Sequence, residues 1–245
     1  AMAFSLLLSF AIAKLGRKKI RRYSIMVSIS IVILFAVITM VLSGVWKSNV
    51  ILFSRITKES PNAVFAHNNL GYAYYKLGRL DKAVEEYLTA LKLMPSHEGA
   101  HYNLGLAYAG IKKWDAAIHE YQVALRLKPD HVETYNNLGV AYKNNGLLDE
   151  AIREYKKALR LKPDFAEVHC NLGVAYKNQN KIDDAIKEYK TALRTNPLFI
   201  EAHYNLGIAY RQKGLANEAR QEFEAALKID PEFLPALKIL ETSRE

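Results

Sequence analysis

The sequence predicts an all-α chain, a solenoid of helical hairpins standing behind one membrane-spanning helix. Two observations carry this. The pair Leu-Gly returns at Leu70-Gly71, Leu104-Gly105, Leu138-Gly139, Leu172-Gly173 and Leu206-Gly207, in steps of 34 residues, and Pro61, Pro95, Pro129, Pro163, Pro197 and Pro231 keep the same interval. A fixed period of this size is the mark of a stacked repeat array. Ahead of it, Tyr23–Trp46 runs for 24 residues without a charge, which suits a bilayer span better than a core helix.

In chain order, Ala1–Leu15 is apolar, but only Ala1–Ala13 precede the first charge, Lys14. That is short of the ~20 residues a span needs. Nothing basic precedes the run, so it does not read as a signal peptide; it fits the tail of a span that starts earlier. Lys14–Arg22 then places six positive charges in nine residues. Residues 1–22 are thus expected to form a short apolar segment and a basic cytoplasmic loop. The span itself, residues 23–46, would be a helix ~36 Å long against a hydrocarbon core of ~30 Å. Thirteen residues of Ile25–Val45 are Ile, Leu, Val or Phe, with Tyr23 and Trp46 at the two ends as interfacial rings. The rival readings are a signal peptide cleaved near Ser43-Gly44 and a buried core helix. Six positive charges before the span, against three spread over Lys47–Lys58 after it, put the loop in the cytoplasm and the repeats on the exoplasmic side, periplasmic or lumenal.

Residues 47–63 continue the repeat register. Counting back from Pro61 makes them a second helix without its first, a half-repeat cap with Phe53 and Ile56 facing the array. Five units follow, 64–97, 98–131, 132–165, 166–199 and 200–233. With each unit numbered in slots 1 to 34, Leu-Gly fills slots 7 and 8. Slot 11 is Tyr74, Tyr108, Tyr142, Tyr176 and Tyr210; slot 24 is Tyr87, Tyr121, Tyr155, Tyr189 and Phe223. Alanine holds slots 20 and 27 throughout. The gaps of four, seven and three between these slots lie on helical faces, so each unit reads as two amphipathic helices. Gly78, Gly146, Asn180 and Gly214 at slot 15 suit a left-handed helix end; Lys112 departs. Asp81, Asp115, Asp149, Asp183 and Asn217 at slot 18 are expected to cap the second helix, and the proline at slot 32 to stop it. The glycine of slot 8 and the alanine of slot 20 are expected to let two backbones approach. Residues 234–245 continue the register as a C-terminal capping helix, with Leu240 at slot 7 and Glu241 where glycine stood.

The slots just given, read in one unit as Leu138, Gly139, Tyr142, Ala151, Tyr155, Ala158 and Pro163, resemble the tetratricopeptide repeat across 64–233. The resemblance implies a right-handed superhelix whose first helices line a concave groove. Slot 4, where that family often has Trp, holds His67, His101, Tyr135, His169 and His203. A looser resemblance covers about thirty residues around Trp46 and Pro61. That junction looks like the point where multi-spanning glycosyltransferases of the transmembrane-and-tetratricopeptide type pass into their repeats. It implies a C-terminal fragment whose catalytic part lies outside this chain.

Charge excludes one class of partner. The net charge is +9, yet residues 1–60 hold nine of the 34 Lys/Arg and one of the 25 acidic residues. The array is close to neutral, so nucleic acid is not an expected partner. Cys170 is the only cysteine, which rules out an intrachain disulfide and a thiolate cluster. His97 to His101 spells H-E-x-x-H, but it straddles a unit junction and ends in slot 4, which explains it without zinc. No phosphate loop or nucleophile motif is present, so no cofactor, metal or catalytic residue is expected.

The candidate site is the groove. Slot 6 is Asn69, Asn103, Asn137, Asn171 and Asn205. A primary amide gives two donors and an acceptor, which matches the backbone of an extended peptide. Asparagines at this slot resemble the ladder lining the superhelix of repeat-bearing O-GlcNAc transferases. Lys143, Lys177 and Arg211 at slot 12 would make the distal half basic, unless Glu133, Glu167 and Glu201 at slot 2 neutralise them. A two-carboxylate clamp of the kind some family members use would need lysine and asparagine where Asn68 and Tyr72 stand, and is rejected. The expected function is a membrane-anchored, non-catalytic scaffold binding peptide or protein partners in the groove. The alternative is the repeat region of a membrane glycosyltransferase, presenting acceptor proteins.

Overall fold

A computed structural model describes residues 49–242. The apolar segment and basic loop expected at 1–22 and the span expected at 23–46 lie outside the described residues. Among those described, no helix is long and apolar enough to cross a membrane.

The described chain is helical. A lone helix α1 (Asn49–Glu59) leads into five hairpins: α2 (Val64–Lys76) with α3 (Leu80–Leu93), α4 (Glu98–Gly110) with α5 (Trp114–Leu127), α6 (Val132–Asn144) with α7 (Leu148–Leu161), α8 (Ala166–Asn178) with α9 (Ile182–Thr195), and α10 (Ile200–Gln212) with α11 (Ala216–Ile229). A last helix, α12 (Leu234–Thr242), closes the stack. Each helix packs on its hairpin partner and on the first helix of the next unit. Successive first helices also touch one another, and no second helix makes comparable contact with the next second helix. The stack therefore curves with its first helices on the inside.

Each hairpin turns through slot 15. Gly78, Gly146 and Gly214 have φ of 70°, 82° and 78°, and Asn180 and Lys112 are held at 61° and 59°. The next amide then bonds back to the slot 11 carbonyl, as Leu147 does to Tyr142 at 2.9 Å, which satisfies a carbonyl that the helix end leaves free. The second helix stops before proline. Its last cap residue, such as Lys128 at φ −138°, ψ 89°, is extended because the proline ring excludes the helical region for its predecessor.

The core is a series of small clusters between helices. The alanines of slots 20 and 27 and the leucine of slot 7 are buried, and so is the ring at slot 24. That ring corrects the expectation for slot 8. The glycine admits a side chain rather than a second backbone, for a Cβ on Gly71, Gly105, Gly139, Gly173 or Gly207 would lie 2.5–2.7 Å from the ring of Tyr87, Tyr121, Tyr155, Tyr189 or Phe223.

Slot 18 also differs from expectation. The second helices begin two residues earlier than a cap at slot 18 would require, after Arg79, Lys113, Leu147, Lys181 and Leu215, and none of these has a side-chain cap. The aspartates sit inside the first turn, where they face the positive end of the helix dipole. Three of them also reach sideways. Asn145 Nδ2 donates to Asp115 (2.9 Å), Gln179 Nε2 to Asp149 (2.6 Å), and the Lys213 ammonium to Asp183. They tie a unit to the next rather than cap their own helix.

Candidate peptide-binding groove

The first helices present slots 2, 5, 6, 9 and 12 to the inner face of the curve. How firmly those side chains are held depends on how the units are joined. At slot 4, His67, His101, His169 and His203 each place Nδ1 2.6 Å from the Oε2 of Glu86, Glu120, Glu188 or Glu222 on their own second helix. The Nε2 of each meets the carbonyl oxygen of Pro61, Pro95, Pro163 or Pro197 at 2.9–3.1 Å. Both partners are acceptors, so a protonated ring serves both at once. The hydrogen bond to Glu188 raises the pKa of His169 against the opposing effect of burial. These rings lock a unit to the turn before it. Because Pro61 takes part, α1 stands in register as the second helix of a truncated unit.

The third unit lacks this arrangement. Tyr135 replaces histidine, and Glu154, 7 % exposed, has one carboxylate oxygen buried without a partner. Its other oxygen accepts from Lys157 Nζ at 2.7 Å. The two residues line a depression of about 270 Å³ with Gln122, Tyr135 and Tyr142.

The asparagines form a ladder. Asn103 Nδ2 donates to Asn68 Oδ1 (3.1 Å), Asn137 to the Tyr102 hydroxyl (3.1 Å), Asn171 to Asn136 Oδ1 (3.0 Å) and Asn205 to Cys170 Sγ (3.8 Å). Each bond joins slot 6 to slot 5 of the unit before. All five slot 6 residues, Asn69 included, are half-buried. For Asn103, Asn137, Asn171 and Asn205 one N–H is spent on the neighbouring unit; their second N–H and their carbonyl oxygen have no partner among the described residues. The amides are thus joints of the stack first, and their orientation is fixed before any ligand arrives.

Of the three slot 12 cations, two come together. Lys143 and Lys177 are half-buried on adjacent first helices, α6 and α8, and neither has an ion pair or hydrogen bond among the described residues. Burial lowers the pKa of both, and the charge on Lys143 lowers Lys177 further. Glu167, one of the three slot 2 carboxylates that could neutralise them, accepts from Asn136 Nδ2 at 3.1 Å. Arg211 stands apart. It is exposed and lines a depression of about 250 Å³ with Arg220, Ile239 and Leu240 at the distal end.

At the other end, Phe65 and Tyr72 at slots 2 and 9 are 56 % and 41 % exposed. Sequence reasoning passed over them as groove residues. The signal was present in aromatic rings at slots that packing does not use. The two histidines of the H-E-x-x-H stretch have separate tasks. His97 Nδ1 accepts the Ala100 amide at 3.0 Å as a helix cap, and His101 is held by Glu120 and Pro95. No group of His, Cys, Asp and Glu among the described residues is arranged to hold a metal ion.

Comparison with known proteins follows the same lines. The TPR repeat family model matches residues 71–111, 111–146 and 145–180, and a tetratricopeptide repeat model matches 170–232. No curated protein matches the chain. Among solved structures, MamA is 29 % identical, aligning over 66 % of this chain and 95 % of its own with a TM-score of 0.62. TTC0263, a thermophilic TPR protein in Thermus thermophilus, is 25 % identical over 74 % and 98 %, with a TM-score of 0.59. YrrB, a TPR protein with an unusual peptide-binding site, shares the fold at 22 % identity over 77 % and 97 %, with a TM-score of 0.61. The junction resemblance to membrane glycosyltransferases gains no support from these matches.

Proposed function

Through residues 71–232 the chain belongs to the tetratricopeptide-repeat family, and we propose that it is a non-catalytic scaffold that takes an extended segment of a partner protein along its groove. In this reading residues 23–46 anchor it in a membrane and the array stands on the exoplasmic side. The observation that carries the binding role is the ladder. Four amides are held in one orientation by the unit before them, and each keeps a donor and an acceptor to spare. Side chains fixed in advance lose little freedom on binding, and such preorganisation favours affinity. The exposed rings of Phe65 and Tyr72 add an apolar stretch near the N-terminal end, where a buried partner side chain would contribute.

Photo-crosslinking tests this reading. A photoreactive side chain placed at Tyr72 or Val174, on the inner face, is expected to capture a partner polypeptide. The same group at Lys187, exposed on α9, is expected to capture nothing specific. Capture from Lys187 alone would overturn the groove as the binding surface. Protease added to spheroplasts or sealed microsomes tests the topology, with digestion expected in the first and protection in the second.

A further inference from the structure

We infer that the Lys143–Lys177 pair is a receptor for a carboxylate on the bound peptide, so that the groove selects acidic segments. The inference rests on the groove reading above and gives the ligand its chemistry.

It starts from a charge without a counterpart. The array is nearly neutral, and among the described residues only three of its lysines and arginines are half-buried, Lys143, Lys157 and Lys177; of these, Lys157 pairs with Glu154. Lys143 and Lys177 have no partner, although they are half-buried at the same slot of first helices that touch, where like charges repel. A desolvated ammonium with no partner disfavours the native state. The groups that face the pair do not relieve it. Burial pushes the Cys170 thiol up to about 11, so it is uncharged at neutral pH. Glu167 is turned to Asn136. Glu133 lies beside His131, with Oε2 3.7 Å from Nε2. Glu201 is exposed, and no ion pair joins it to either lysine.

An anion between the two ammonium groups removes the repulsion and restores a counter-charge in a partly desolvated place, where such contacts are strongest. A carboxylate is the anion that a peptide brings without modification. It enters on the same inner face as the Asn137 and Asn171 amides, whose spare groups would hold the backbone on either side. A nucleic acid fits poorly, because the pair is a local site rather than part of a positive surface.

The test uses the 245-residue chain in detergent micelles and three fluorescent peptides read by anisotropy. One alternates Ser with Asp, one carries Asn in place of Asp, and one carries phosphoserine instead. The Asp peptide is expected to bind roughly ten- to a hundredfold more tightly than the Asn peptide, the range of a charge-assisted contact. Added salt should narrow the gap, and Lys143→Gln with Lys177→Gln should abolish it. Because the native lysines lack partners, the same double variant should melt no lower than the parent. If Asp and Asn peptides bind alike, the carboxylate assignment is overturned and the groove reading stands. If no peptide binds, both readings are overturned. Binding of the phosphoserine peptide alone also overturns the assignment, and a double variant that melts lower shows that the lysines hold the fold instead.

Discussion

The ring of Tyr155 packs against Gly139, so close that a Cβ there would sit 2.5 Å from Cε1 and 2.7 Å from Cδ1. The ring is fully buried and its hydroxyl has no partner, so it has nowhere to withdraw. Gly139→Ala is expected to destabilise the array. Overpacking costs about 1–3 kcal/mol, and the better helix propensity of alanine returns up to about 1 kcal/mol. Urea denaturation should show a net loss of about 1–2 kcal/mol. A variant as stable as the parent would mean that the hairpin tolerates a wider separation than this packing implies.

Tyr135→His supplies the third unit with the ring that four others have. The new imidazole should reach the stranded oxygen of Glu154 and the carbonyl of Pro129. A hydrogen bond to a charged group contributes about 1.5–3 kcal/mol, set against the loss of the Tyr135 ring and its contact with Lys157 Nζ, 5.7 Å from the ring centroid. A net gain of about 1 kcal/mol is expected, measured as a higher denaturation midpoint. No gain would show that solvent already serves Glu154.

Lys112 holds a left-handed conformation at φ 59°, where a side chain is strained by about 1–2 kcal/mol. Lys112→Gly relieves this and adds some freedom to the unfolded chain. Thermal denaturation should show a stabilisation of about 1 kcal/mol. Gly146→Lys should move the other way, since Gly146 adopts φ 82°.

His169 gives the array a pH dependence. Its folded pKa is raised, chiefly by Glu188, above the ordinary 6.5. A base raised on folding stabilises the protein fully below its unfolded pKa, and that stability is lost as pH rises through the folded value. Between those two values the parent should lose stability with rising pH, and His169→Gln should lose less. An NMR titration of the His169 ring should place its midpoint above 6.5. A midpoint below that value would show that burial outweighs the carboxylate.

The two-helix unit was legible because its packing is periodic: the same slots meet the same slots in every unit, so Leu138, Ala151 and Ala158 declare themselves by interval alone. Bonds between units do not follow a helical face. Asp149 read as a helix cap because its spacing to the helix start is short, whereas its partner, Gln179, is 30 residues on. The histidine–carboxylate pairing did leave a trace, a Glu 19 residues after each slot 4 histidine, and could have been found by comparing units for pairs rather than single slots. At the groove, the interval alone picked out the asparagines of slot 6 and the lysines of slot 12, but not the bonds that tie each asparagine to the unit before it. Whether Glu167 would quench the lysines depends on which way one carboxylate turns, and spacing cannot say. Arg211 shows the same limit, for its slot matches Lys143 while its surroundings are those of the array's end.

The histidine–proline, slot 6 asparagine and slot 14 bonds share a direction, opposite to that of the bond from Asn136 to Glu167. In each of the three, the donor belongs to the later unit and the acceptor to the earlier one. During synthesis the acceptors therefore emerge first, and each new hairpin arrives carrying the hydrogens that fasten it to a finished surface. The two ends are not equivalent under truncation. Trimming from the C-terminus leaves behind lone pairs that water covers readily, whereas trimming from the N-terminus strands N–H groups on a half-buried face.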